Sequence, residues 1–223
     1  LFSVLRMLLP FLYAAEHQKE EYAVLVEKHG RERTLILYCL WPGTAIAAAT
    51  RPMRGTVFFS ATLSPLGAMK ELLGGSEDDA CFALPSPFPR EHLQVIRQRI
   101  STRYADREKS AAQVAQAIRQ AVGVRTGKYI AFFPSYAYLE LVLEHLQPEN
   151  LPPLWVQKRD MTEEQKESFF AAFTEEKGPR LGLCVLGGLF SEGIDLPGEQ
   201  LIGVIVVGVG LPTPRARLRA VQR

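Results

Sequence analysis

LGLCVLGGLFSEGIDLPGEQLIGVIVVGV, running from Leu181 to Val209, decides the fold. Two near-continuous apolar runs, LGLCVLG and LIGVIVVGV, flank a connector that carries Gly187, Gly188, Gly193, Gly198, Pro197 and the carboxylates Glu192 and Asp195. Strands covered by helices on both faces of a parallel sheet read as unbroken apolar runs, whereas half-wetted antiparallel strands alternate. The two runs therefore predict buried parallel strands. A connector so polar between strands so apolar predicts a ligand loop.

Working upstream, the pattern alternates between strand and helix. An alanine-rich amphipathic helix is predicted over Glu108–Val122, a buried strand over KYIAFF (Lys128–Phe133), a helix over Ala137–Leu146 and a short strand at LWVQ. Thr162 followed by Gln165 has the capping-box form, and the helix it opens should bury Phe169, Phe170 and Phe173 before Gly178-Pro179 ends it. Such alternation predicts an α/β fold, a three-layer, mostly parallel sheet with helices on both faces. Farther upstream, TLILYCL, TVFFS and LQVIRQRI read as strands, although the alternation of the last breaks at Ile96 and Arg97. Apolar residues at threes and fours, among them Leu5, Leu8, Leu12, Tyr22, Leu25 and Val26, predict a helix from Leu1 to about His29, kinked at Pro10 and stopped by Gly30.

Apolar residues make up 47% of the 223 and charged residues 22%, which excludes a disordered chain. A net charge of +2 argues for no partner by itself. Two stretches are basic, Arg90–Lys109 and the tail with Arg215, Arg217, Arg219 and Arg223; each is either a phosphate-facing or a solvated surface. Cys39, Cys81 and Cys184 have neither zinc-ligand spacing nor the look of a disulfide framework, which points to a reducing compartment. Arg6 and Pro10 break the leucine-rich start, so no membrane span is expected, and the opening in mid-helix reads as a piece of a longer protein.

Three loops should lie at the carboxyl ends of strands, where open α/β sheets bind ligands. SATLSP offers Ser60, Thr62 and Ser64, the last suited to cap a helix starting near Pro65. In PSY, Ser135 is by default a helix cap, and Tyr136 either packs against that helix or meets a phosphate. In the Leu186–Gly198 connector, Ser191 with its neighbouring amides suits a phosphate. Glu192 and Asp195 repel phosphate; they suit a ribose hydroxyl or an arginine held in a bidentate pair.

VFFSATLSP, YIAFFPSY and LGGLFSEGIDLPG, in that order, resemble motifs III, IV and V of the second motor domain of DinG/XPD-type superfamily 2 DNA helicases. The resemblance covers roughly Thr34 to Pro214. It implies a helical segment over 1–33, similar to the end of an arch-like insertion, and a RecA-like motor domain over 34–223 without its own P-loop. It further implies ATP and Mg2+ bound jointly with a first motor domain, and single-stranded or forked duplex DNA as partner. Glu192, Gly193 and Asp195 would then face the nucleotide cleft, Ser135, Tyr136 and Ser191 the DNA, and Ser60 and Thr62 the coupling junction. The expected setting is the cytoplasm of a bacterium, at the nucleoid, with a role in repair or replication.

The chain contains no G-x-x-x-x-G-K-[ST] and no DEAH-like box, and the closing Q-x-x-G-R-x-x-R motif is cut off at Gln222-Arg223. The four cysteines that hold an iron–sulfur cluster in many such helicases have no counterpart here. The expectation is an inactive fragment of an active helicase. A non-enzymatic nucleic-acid-binding domain and a nucleotide-dependent transferase are the competing classes.

Overall fold

A computed structural model describes residues 5–6, 8–12, 20–175, 177–191 and 194–210 of the chain. The described residues fall into two compact units, one up to His92 and the other from Leu93 onward.

In the first unit, residues 5–6 and 8–12 are helical. The helix expected to continue to His29 gives way instead to an antiparallel hairpin, β1 (Tyr22–His29) and β2 (Glu32–Cys39). The spacing of Tyr22, Leu25 and Val26 fits a helix, but the run is also rich in β-branched residues. Pairing decides between the two: Val24 meets Leu37, Leu25 meets Ile36 and Val26 meets Leu35 across the ladder. Gly30, read as a helix stop, is the first residue of the two-residue turn; its φ of 62° suits the glycine position of a hairpin turn. The structure adds a helix that the pattern did not announce, α1 (Gly43–Thr50), and places α2 at Leu66–Leu72. Pro65, not Ser64, is the N-cap of α2, and no side chain caps it.

TVFFS and LQVIRQRI form no strands. Val57 and Phe59 are 83% and 90% exposed. Strand-like composition makes a strand only where a neighbour supplies ladder bonds, and the described residues supply none here.

The second unit holds a four-stranded parallel sheet in the order β4-β5-β3-β6, with β3 at Lys128–Phe133, β4 at Leu154–Val156, β5 at Arg180–Val185 and β6 at Gly203–Val206. Helices α3 (Arg107–Val124), α4 (Tyr136–His145) and α5 (Glu163–Thr174) complete it. The two-residue period of the strands sorts the core. Tyr129, Ala131, Phe133, Leu181, Leu183 and Val185 face α3 and α4. Ile130 and Cys184 face α5 with Phe169, Phe173 and Phe190. This is the expected three-layer α/β architecture, with helices on both faces. The capping box at Thr162 and Gln165 opens α5 as expected, each side chain bonded to the other residue's backbone amide.

One strand departs from expectation. LIGVIVVGV was to be buried on both faces, yet only Gly203–Val206 is strand, and its residues alternate between half-buried and exposed. β6 lies at the sheet edge. Val204 and Val206 pair with Ile130 and Phe132 on the α5 face and remain exposed there.

Candidate functional site

The carboxyl ends of β3 and β5 carry two of the three expected loops. The chain runs from β3 out to β4, back to β5, and then past β3 to β6. Such a reversal of strand order opens a crevice at the strand ends. SATLSP lies in the first unit and follows no strand. There Ser60 Oγ and Thr62 Oγ1 lie 3.1 Å apart, and the Thr62 amide donates to Ser60 Oγ at 3.2 Å, so both hydroxyls shape a local turn.

At the end of β3, Ser135 is the N-cap of α4, its Oγ accepting from the Tyr138 amide at 3.3 Å. The same oxygen accepts from Arg107 Nη1 at 3.2 Å. Tyr136 is half-buried; its hydroxyl accepts from Gln157 Nε2 at 3.1 Å and donates to the Lys158 carbonyl at 3.4 Å. The phenol is thus engaged within the protein. What Tyr136 presents outward is the Arg159 guanidinium, which lies 4.9 Å from its ring centroid.

After β5 the chain enters the connector through Gly187, whose φ of 70° calls for glycine. At Gly188 a Cβ would come within 2.7 Å of Gln157 Nε2 and 2.8 Å of the Val185 carbonyl oxygen, so this position is glycine for space. Phe190 is buried and stacks on Phe169 at 4.0 Å, anchoring the loop to α5. Burying a phenyl side chain contributes about 1.5–3 kcal/mol, enough to hold the loop in one place.

The loop amides turn inward: Leu186 donates to the Phe133 carbonyl, Gly188 to that of Val185 and Ser191 to that of Gly188. Ser191 Oγ also donates to the Gly188 carbonyl, at 2.7 Å. The neighbouring amides that made Ser191 attractive as a phosphate cradle are therefore already used. Ser191 instead lines a cleft of about 290 Å³ with Ile130, Phe132, Phe190, Ile194 and Leu196. Asp195 is exposed. Glu192 and Gly193, like the basic tail from Arg215 to Arg223, lie outside the described residues.

Residues 118–223 match the family model described as the helicase C-terminal domain. This segment is a helicase C-terminal domain. The match takes in the 134–136 and 186–198 loops and begins after Ser60 and Thr62. It agrees with the second motor domain recognised from the three motifs. The ATP-dependent DNA helicase DDX11 of Homo sapiens is 25% identical over 95% of this chain and 25% of its own length. A probable ATP-dependent helicase of Methanocaldococcus jannaschii is 28% identical over 70% of this chain and 24% of its own length. A regulator of telomere elongation helicase 1 homolog of Drosophila sechellia is 25% identical over 78% of this chain and 20% of its own. The chain thus spans about a quarter or less of these relatives.

Within the helicase C-terminal domain, sequence reasoning missed Gln157, which joins the two loops. It is 2% exposed. Its amide donates to the Leu183 carbonyl at 2.9 Å, its Oε1 accepts from the Val185 amide at 2.9 Å, and its Nε2 reaches Tyr136. The side-chain carbonyl thereby extends the β4–β5 ladder one bond beyond the strand. A polar residue closing the apolar run LWV was the only signal. As for a nucleotide, the inward amides do not fit a triphosphate cradle, whereas exposed Asp195 fits a ribose hydroxyl or a guanidinium. Among the described residues no group of three or more His, Cys, Asp or Glu side chains could hold a metal ion. Among them, too, no helix is long and apolar enough to cross a membrane.

Proposed function

We propose that this chain serves as the second motor domain of an ATP-dependent DNA helicase, one that couples ATP hydrolysis to translocation on single-stranded DNA and duplex unwinding in repair or replication. One observation carries the reading. Two loops at neighbouring strand ends, inside the segment that matches the helicase C-terminal domain, are joined through buried Gln157. A motor needs such a rigid link between a nucleotide-facing element and a DNA-facing one.

On this reading Asp195, with Glu192 and Gly193, faces a nucleotide held jointly with a first motor domain, which brings the phosphate-binding loop and the magnesium ligands. Bound ATP supplies the free energy for the movement of one domain against the other. Ser135, Tyr136 and Ser191 belong to the DNA side, and Ser60 and Thr62 to the coupling junction. Backbone-directed contacts suit a motor that must pass every base. The domain division at residues 33 and 34 is part of the same proposal. The exposed thiols of Cys39 and Cys81 support work in a reducing compartment such as the cytoplasm.

The test has two arms. The purified 223-residue chain should show no DNA-stimulated ATP turnover, and measurable turnover refutes the shared-site reading. In a full-length helicase carrying this chain, Asp195→Ala should abolish ATP-driven unwinding and leave the melting temperature unchanged, because the side chain is exposed. Normal unwinding by that variant removes Asp195 from the nucleotide site.

A further inference from the structure

The basic stretch Arg90–Lys109 has no part in the reading above, yet where it enters α3 the structure builds a specific arrangement. Arg107 lies 5.0 Å from the ring centroid of Tyr138 and 5.4 Å from that of Tyr104. Tyr138 is buried, whereas Tyr104 is 86% exposed. The guanidinium thus contacts one ring inside the fold and one at its surface. Its Nη1 donates to Ser135 Oγ at 3.2 Å and its Nε to the Thr102 carbonyl at 3.5 Å. Among the described residues no carboxylate pairs with Arg107; the adjacent Asp106 accepts from Ser101 Oγ at 2.6 Å. A positioned, half-buried cation without a counter-ion, beside an open aromatic ring, has the two parts that grip a single strand: a guanidinium for the phosphate and a ring for the base.

We propose that Tyr104, Arg107 and Ser135 form a one-nucleotide step for single-stranded DNA, with a phosphate on the Arg107 guanidinium and the Ser135 hydroxyl and a base stacked on Tyr104. This rests on the helicase reading, and it moves the phosphate grip from the Ser191 loop, whose amides are used, to the end of β3. Ser135 Oγ accepts from Arg107 and from the Tyr138 amide, which leaves its hydroxyl proton free to turn toward a phosphate oxygen. Tyr104 makes the step tolerant of sequence, since every base offers a π face.

The test is fluorescence anisotropy of the 223-residue chain with a labelled oligothymidylate and with an abasic strand of equal length. Tyr104→Ala should weaken binding to oligothymidylate roughly 5- to 100-fold, the range for losing one stacked base. Tyr104→Phe should stay within about twofold of the parent, since it keeps the π face. Binding to the abasic strand should be equal for the parent and Tyr104→Ala. Arg107→Ala should lower the slope of log affinity against log salt by about 0.7, the loss of one phosphate contact on a single strand. Because Arg107 is partly a structural residue, exposed Tyr104 carries the decision. If the parent binds and Tyr104→Ala binds equally well, or loses as much on the abasic strand, this inference falls and the helicase reading stands. If the parent binds no strand at all, both fall.

Discussion

Replacing Gln157 by leucine tests the central link of the site. The substitution keeps side-chain volume nearly constant, so its cost is polar rather than steric. Val185 lies in the buried core, and its amide donates to Gln157 Oε1. An amide N–H can only donate, so the side-chain oxygen must face it and the nitrogen must face Tyr136. Leucine strands the Val185 amide, and a buried donor left without an acceptor costs about 1–3 kcal/mol. Tyr136 loses one partner but is only half-buried and keeps the Lys158 carbonyl, so water replaces the rest at little cost. The net expectation is about 2 kcal/mol, with the fold retained. For a chain of this size that lowers the melting temperature by about 4–8 °C. Far-UV circular dichroism during heating gives the global value. Hydrogen exchange gives the local one, with protection lost at Val185 before the rest of β5. Tyr136→Phe should cost less in the Gln157→Leu background than in the parent, because the shared bond is already gone. A Gln157→Leu variant that melts within a degree of the parent and keeps Val185 protected would falsify the link.

Other expectations follow from single positions. A Cβ at Gly182 would lie 3.0 Å from Phe173 Cζ and 3.1 Å from Phe169 Cζ, so Gly182→Val should overpack the α5 face and cost about 1–3 kcal/mol in urea unfolding; an unchanged midpoint contradicts that packing. Gly188→Ala should destabilise as well, because its Cβ would meet both Gln157 Nε2 and the Val185 carbonyl oxygen, and its cost should not add to that of Gln157→Leu. A thiol reagent should label Cys39 and Cys81 in the native chain and reach Cys184 only after unfolding, since Cys184 alone is buried; prompt labelling of three thiols refutes this. Burial pushes the Cys184 thiol from an ordinary 9.0 up to about 12. The unfolded chain therefore gives up this proton first as pH rises. The group's contribution is fully present below about pH 9 and is lost between 9 and 12, which an alkaline unfolding series on the parent and Cys184→Ala can separate.

The parallel sheet was legible because its signals are local and redundant. KYIAFF is strand from Lys128 to Phe133 as read, and the Thr162 capping box opens its helix. Ser135, a cap by default, is a cap. Where the reading failed, a distant partner decided the outcome. Leu25 and Val26 carry both helical and strand spacing, and their pairing with Ile36 and Leu35 turns the run into a hairpin. TVFFS has the composition of a strand and no ladder among the described residues. Gln157 was invisible for a related reason: its importance lies in where the Val185 amide and the Tyr136 hydroxyl arrive, and neither is near it in the chain.

The connector that decided the fold also illustrates how composition misleads about chemistry. Its glycines suggested a flexible phosphate loop. In the structure Gly187 supplies a turn and Gly188 makes room for Gln157. Phe190 nails the loop to α5, and the loop's amides bond back onto their own strand ends. A loop fixed at both ends with its donors consumed is a poor anion trap but a good mount. It can hold Asp195 in one place, and through Gln157 it shares its foundation with the 134–136 loop. A phosphate grip on this domain must then come from side chains with unused donors, and Ser135 beside Arg107 has them at the end of the neighbouring strand. Rigid support at β5 and an open grip at β3 divide the work between two strand ends one ladder apart. A shift in the Asp195 loop then reaches Tyr136 through a single buried side chain.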